Sequence, residues 1–435
     1  MRKTTNTTRA RAALALTLLA LASVPLATRA AAAPAGPGPT GEFFPLSPHR
    51  IVDTRIGLGA SGAVSGPGAI EVQVGGVGGS GVPSTGVLAV ALNVTVTQPT
   101  ANSYLTLYPA GSSVPVASNL NFSAGETVPN LVVVGVGAGG RVGAFLNNGR
   151  ADVVIDVMGW WAAGDASVAS GAGGRLQAVD PQRVLDTRSG IGWPSSPGAH
   201  GVVDLQVSGR FHDRTGATVA NPTAVVLNLT GVNPSADTFV TAYPGDEGLP
   251  TSSNVNLVRG QTRPNLVMVK VGANGHVKLY NEAGTTGLLA DVVGFFQAGA
   301  SPATYAGRVL PLVTPYRLFD TRSVGSGLGA GEVDSWDVSS FLGSLGTSAG
   351  SPGNVSGLIM NLTGSGASAP DYLTAFPSDA SKPNASNVNL SPGGTAPNLA
   401  VVALSTSGKA NRFSVFNYAG GVQTIGDVAA VILGE

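Results

Sequence analysis

Between turn signals the chain carries short runs of β-branched, aliphatic and aromatic residues. Residues 70–74 alternate apolar and polar side chains, the period of a half-buried strand. Residues 87–96 form a longer apolar run, 104–108 and 118–122 are short, and 131–136, 142–146 and 153–161 complete a set that follows an extended stretch at 50–55. The same order returns at 202–207, 224–229, 238–243, 253–257, 266–271, 276–280 and 288–296, and again at 333–338, 357–362, 372–376, 386–390, 399–404, 413–416 and 425–433. Turn dipeptides and tripeptides such as Gln98-Pro99, Ala124-Gly125 and Asn147-Asn148-Gly149 separate the runs. With about eight strands per copy and no amphipathic helical stretch, the pattern predicts an all-β protein of three tandem antiparallel β-sandwich modules, jelly-roll-like, with a closed barrel as the alternative.

Sequence identity between the copies is sharpest where each opens. Pro48-His49-Arg50-Ile51-Val52-Asp53-Thr54-Arg55 returns as 181–188 and 315–322, with the aspartates 133 and 134 positions apart. Asn93, Asn228 and Asn361, the Ser-Asn-x-Asn runs at 118, 253 and 386, and the Pro-Asn-Leu runs at 129, 264 and 397 keep nearly the same step. One unit is therefore written three times. The expected boundaries are a leader at 1–33 and β modules at 34–161, 175–296 and 308–435. Linkers at 162–174 and 297–307, rich in Ala, Gly and Ser, fit either independent beads or three copies closed about a pseudo-threefold axis.

Composition narrows the class. Charged residues make up only 11% of the chain while apolar ones make up 43%, which excludes a disordered chain. The start reads as a secretory signal: basic residues up to Arg11, an apolar run from 12 to 27, then small residues through Ala33. A secreted, extracellular or wall-associated protein with no membrane span after cleavage is the expectation. Without the leader's five basic residues, 19 basic side chains face 24 acidic ones, so the balance is near −5, which argues against nucleic acid as a partner. There is no cysteine, so no disulfide supports the copies.

Histidine does not repeat: Gln182 and Tyr316 stand where the first copy has His49, and Arg141 and Arg412 where the second has His276. No GxSxG, HExxH or Walker-type motif occurs, so the expectation is no enzyme, no metal and no cofactor. What does repeat is Arg50, Asp53 and Arg55 with Arg183, Asp186 and Arg188 and with Arg317, Asp320 and Arg322. Asn119 and Asn121 return as Asn254 and Asn256 and as Asn387 and Asn389, Asn130 as Asn265 and Asn398, and Asp156 as Asp291 and Asp427. Tyr104, Phe239 and Tyr372 keep an aromatic, as do Tyr108, Tyr243 and Phe376. Spaced by two, Asp53 and Arg55 would share a face of an extended strand, the carboxylate taking a bidentate guanidinium.

These residues carry two readings. They pin strand register and close turns, or Asp and Asn bind sugar hydroxyls while an aromatic ring stacks on a pyranose. The combination PxRxxDTR, LN[VL]T, SNxN, PNL and a closing DVxG[WF][WF] resembles a tandem repeat module of exported actinobacterial proteins, a resemblance that covers about 400 residues and implies no activity of its own. The third copy departs from it at Asp427-Val428-Ala429-Ala430. The resulting expectation is a secreted, non-enzymatic cell-surface protein that binds glycan or wall polymer through repeated weak sites, with a self-assembling scaffold and a glycoside hydrolase as alternatives.

Overall fold

The computed structural model describes residues 40–163, 173–298, 305–345, 355–408 and 410–434. The predicted leader, residues 34–39 of the first module and most of both linkers lie outside them. The first copy supplies β1 (Phe43–Asp53), β2 (Val64–Ser65), β3 (Gly68–Gln73), β4 (Val87–Thr97), β5 (Ser103–Pro109), β6 (Leu120–Phe122), β7 (Val128–Gly135), β8 (Arg141–Leu146) and β9 (Arg150–Ala162). The second supplies β10 (Arg175–Asp186), β11 (Gly201–Gln206), β12 (Ala224–Val232), β13 (Thr238–Pro244), β14 (Val255–Leu257), β15 (Thr262–Lys270), β16 (His276–Asn281) and β17 (Gly287–Gln297). The third supplies β18 (Val309–Asp320), β19 (Val333–Asp337), α1 (Ser339–Ser344), β20 (Val355–Ser365), β21 (Asp371–Pro377), β22 (Val388–Leu390), β23 (Thr395–Ala403), β24 (Arg412–Asn417) and β25 (Gln423–Leu433).

These strands make six small antiparallel sheets. Three are inner (β1-β9-β4-β7, β10-β17-β12-β15 and β18-β25-β20-β23) and three outer (β3-β8-β5-β6, β11-β16-β13-β14 and β19-β24-β21-β22). The predicted architecture of three jelly-roll-like sandwich modules is corrected here: the six sheets form a closed ring, as the blades of a six-bladed β-propeller. Going round, the first inner sheet packs on the first outer sheet, whose strand β6 lies against β23 of the third copy. The third outer sheet touches the second inner sheet through β22 and β15, and the second outer sheet returns to the first inner sheet through β14 and β7. Hydrophobic periodicity specifies which face of a strand is buried, not which sheet covers it, so sequence pattern alone could not separate the two arrangements.

The two kinds of run now have a cause. The central inner strands are covered on both faces: Val90, Leu92 and Val94 of β4 point into the core shared with the outer sheet, while Ala89 and Ala91 point into a second core. That second core also takes in Leu131 and Val133 of β7, the β12, β15 and β17 side chains, and Leu399 and Val401 of β23. A strand buried on both faces has no solvent-facing positions to alternate with, so 87–96 reads as a long apolar run broken only by the buried Asn93 and Thr95. Outer strands are covered on one face: Leu105 and Leu107 of β5 are buried, while Tyr104 and Tyr108 are half-buried on the other side. At one end of the inner sheets Phe43 packs on Trp161 and Phe296, and Glu42 forms a buried ion pair with Arg175 at 3.1 Å.

Copies are also joined through the backbone. Phe43 and Gly174 exchange hydrogen bonds, as do Gly41 and Val309, and the Gly307 amide donates to the Leu433 carbonyl. Since the second core spans all three copies, opening one copy exposes apolar surface on the other two. Chemical denaturation of the mature protein is expected to show one cooperative transition, coincident by fluorescence and by circular dichroism; separate transitions for the copies would contradict a shared core.

Candidate functional site

Each repeated Arg and Asp finds its partner where two bulged strands meet. Arg50 on β1 lies directly opposite Asp156 on β9, and Asp156 in turn lies opposite Asn93 on β4. The Arg50 guanidinium holds Asp156 through Nε at 2.9 Å and Nη2 at 3.3 Å, and reaches Asp53 through Nη1 at 3.4 Å. Arg55 does not share an extended face with Asp53, as its spacing predicts, because β1 ends at Asp53. From the turn beyond, Arg55 folds back and clasps the carboxylate with Nε at 2.8 Å and Nη2 at 2.6 Å. The second and third copies repeat this through Arg183, Asp186, Arg188 and Asp291, and through Arg317, Asp320, Arg322 and Asp427. Gly59 and Gly192 close the turns that follow, with φ of +70° and +73°; a Cβ at either would sit 2.2 Å from the preceding strand's carbonyl oxygen. The glycines there serve close backbone packing.

The two kinds of aspartate titrate in opposite directions. Hydrogen bonds from Arg55, Arg188 and Arg322 hold Asp53, Asp186 and Asp320 below the usual carboxylate range. Burial pushes Asp156, Asp291 and Asp427 up, with Arg50, Arg183 and Arg317 pulling against it. Both acids of each copy are closed off by arginines, so they do not face one another across an open groove as glycoside hydrolysis needs.

Two sets of the repeated asparagines, Asn93 and Asn130 with their equivalents, are internal too and find partners in other copies. Asn93 donates to the Ser253 carbonyl at 2.6 Å, Asn228 to that of Ser386, and Asn361 to that of Ser118 at 2.8 Å. Asn130, Asn265 and Asn398 link the same interfaces. The Nδ2 of Asn265 donates to the Asn254 carbonyl at 2.7 Å and to Asn93 Oδ1 at 2.9 Å, while its Oδ1 accepts the Leu131 amide at 3.1 Å. Asn398 repeats this with Asn387, Asn228 and Leu266, and Asn130 with Asn119, Asn361 and Leu399. The set closes into a cycle through all three copies. Asn119, Asn254 and Asn387 each accept a backbone amide at 2.7 Å from Leu107, Ala242 and Ala375 of their own copies.

Of the predicted binding residues, Arg55, Arg188 and Arg322 are exposed but committed to their own aspartates, which leaves the aromatics and the second asparagine of each Ser-Asn-x-Asn run as the uncommitted side chains facing outward. Tyr104 pairs with Asn121 across the ladder, Phe239 with Asn256 and Tyr372 with Asn389, all half-buried. Asn121 and Asn389 reach a concavity that motif reading missed. Where β7, β15 and β23 begin, a mouth of about 240 Å³ opens among the three copies, lined by Asn121, Glu126, Gln261, Arg263, Asn389 and Thr395 with Pro129, Pro264 and Pro397. Arg263 bonds Glu126 and the Thr127 carbonyl, and its surroundings lower its pKa by burial. Val128 and Ala396 stand at the matching positions, so comparison between copies passes over this residue. The oxygens of Asn121 and Asn389 accept from Ser118 and Ser386 at 2.9 and 3.1 Å, and among the described residues their amide nitrogens have no protein acceptor.

No protein-family profile matches the chain, and no curated protein matches it. Among solved structures it is similar to one described as "The Triple Jelly Roll Fold and Turret Assembly in an Archaeal Virus", at 10% identity over 91% of both chains with a TM-score of 0.17. It is also similar to the N-terminal CBM22-1-CBM22-2 tandem domain of Paenibacillus barcinonensis Xyn10C, at 11% identity over 61% of this chain and 100% of that one, with a TM-score of 0.16. Neither likeness carries an argument about fold or function.

Two outcomes follow from the buried network. Asn265→Ala strands the Leu131 amide, the Asn254 carbonyl and Asn93 Oδ1 without partners, and is expected to cost about 3 kcal/mol or more in denaturant unfolding. The second concerns acid. Asp53, Asp186 and Asp320 have folded pKa values below the unfolded value of about 3.9. Their stabilisation is therefore present above that pH and lost as pH falls through the folded values. Asp156, Asp291 and Asp427, shifted up, act with the opposite sign. Asp53→Asn is expected to flatten the rise of stability from about pH 2 to 5, measured by unfolding midpoints across that window.

Proposed function

We propose that the protein is an exported, non-enzymatic binding scaffold that takes the end of a hydroxyl-rich chain, a glycan or wall polymer, at the mouth among its three copies. The mouth carries this reading. It is smaller than the roughly 300–1,000 Å³ of sites for drug-sized ligands, so it suits a single ring or a chain end. Its lining combines amide donors from Asn121 and Asn389 with a carboxylate acceptor on Glu126. Sugar hydroxyls both donate and accept, and such a mixed lining satisfies them. Tyr104 and Tyr372 stand beside those asparagines on the outward faces, where a ring could meet the apolar face of a pyranose further along the chain. The leader-like start supports an exported protein. Among the described residues no helix is long and apolar enough to cross a membrane.

The internal use of the Asp, Arg and Asn set favours a second reading, a scaffold whose copies serve only to build the ring. Binding separates the two. The mature protein is expected to be retained on purified wall or polysaccharide, and Asn121→Ala with Asn389→Ala to weaken retention at least tenfold while shifting unfolding by no more than about 1 kcal/mol. Absence of retention on every polymer tested, with a monomer by light scattering, would overturn the binding reading; concentration-dependent assembly without retention would favour the scaffold.

A further inference from the structure

The third copy holds two buried oxygen atoms that its neighbour satisfies and it does not. In the second copy Asn281, fully buried at the end of β16, donates from Nδ2 to the carbonyls of Gly198 and Gly284 at 2.9 Å, with longer bonds to Pro197 and Ala283. Its Oδ1 accepts two hydroxyls, Thr238 Oγ1 at 3.0 Å and Thr286 Oγ1 at 2.9 Å. Asn417, at the end of β24, keeps the donor half: Nδ2 reaches the carbonyls of Leu328, Gly329, Ala419 and Gly420 at 3.0 to 3.5 Å. The acceptor half has lost both hydroxyls. Asp371 replaces Thr238, and Val422 replaces Thr286.

Asp371 takes over one of the threonine's bonds. Its Oδ1 accepts the Ala419 amide at 2.7 Å, where Thr238 Oγ1 accepts that of Ala283 at 2.8 Å. The Tyr372 amide also donates to it at 2.7 Å. Asp371 Oδ2 and Asn417 Oδ1 are both buried, and among the described residues no donor reaches either. Exchanging the amide's oxygen and nitrogen does not help, since the oxygen would then face four carbonyls. The first copy avoids the problem by placing buried Leu146 at this position.

Asp371 stands where Thr238 bonds Asn281 Oδ1, so the third copy holds a buried carboxylate oxygen and a buried amide oxygen in equivalent positions, two acceptors with no donor, and burial makes that arrangement costly. A hard cation satisfies both at once. We infer that Asp371 and Asn417 form a site for a divalent cation of the calcium type, which takes carboxylate, amide and main-chain oxygens in flexible geometry. Among the described residues no group of three or more His, Cys, Asp or Glu side chains could hold a metal, so soft or transition-metal chemistry finds no ligand set here. Val422, with Gly327, Leu328, Gly329 and Gly421, walls an open cleft of about 280 Å³, and the carbonyls of Leu328 and Gly329 in that wall accept from Asn417 Nδ2. With one carboxylate, the affinity belongs with extracellular modules, about 10⁻⁴–10⁻³ M. The site lies in the third copy's outer sheet, where Asp371 pairs with Leu390 beside Asn389 of the mouth.

The Tyr372 and Tyr418 rings, stacked at 4.6 Å, adjoin Asp371 in sequence and through its bond to Ala419, and they supply a local probe. Terbium added to chelator-treated mature protein is expected to give saturable luminescence on tyrosine excitation, displaced by calcium, and calcium is expected to raise the melting temperature. The variant Asp371→Thr with Val422→Thr restores the hydroxyls of the second copy. It should fold, melt at least as high as the calcium-free parent, and lose at least tenfold of the terbium signal. The inference fails if the folded parent shows neither saturable luminescence nor a melting shift up to about 10 mM calcium, ten times the weak limit above. It fails equally if the double variant responds as the parent does.

Discussion

Buried amides must be hydrogen-bonded, and in this protein the partners of the most buried ones are supplied by another copy of the same sequence. Asn130, Asn265 and Asn398 each tie a carbonyl of their own copy to an asparagine and a leucine amide of another. In a low-dielectric interior an unmade bond of this kind costs about 1–3 kcal/mol, more than a made one contributes net. The three copies therefore hold one another in register, and the apolar core among the inner sheets follows from that closure. Directional bonds specify the arrangement; apolar burial supplies most of the stability.

The Asp and Arg set serves the layer outside this. Arg50 bridges Asp156 on the neighbouring strand and Asp53 at its own strand's end, and Arg55 covers Asp53 from the turn. With only 11% charged residues, the chain places many of its ion pairs where bulges break the ladder and a strand end would otherwise leave a carboxylate unpaired. Asp156 is nearly inaccessible, and Asn93, its ladder neighbour, donates to the Ser253 carbonyl of the second copy. The charged knot of one copy and the asparagine cycle thus meet at one pair of facing residues.

Much of this was legible in the sequence, for a physical reason. Triplication supplies an internal comparison, so Arg50, Asp53, Asn93, Asn119 and Asn130 stand out as what each copy needs, and the alternating runs give strands and all-β class directly. Which sheet faces which was not legible, because strand period fixes the buried side and says nothing of the cover. Nor was the sharing of Asn130 and its equivalents between copies, whose partners lie more than 100 residues away. The same comparison hides whatever belongs to one copy. Arg263 stands where the others have Val128 and Ala396, and the change from Thr238 to Asp371 matters only once Asn417 is known to be buried beside it.

The asparagine cycle also sorts positions by how freely they can change. A residue that bonds across copies answers to two surroundings at once, so one substitution there must be matched by another in a different third of the gene. A residue on the far side of an outer sheet answers to its own copy alone. Duplicated units held this way keep a common axle while their rims are left to specialise separately, and the tyrosine pair and altered acid of the last copy show such divergence already under way.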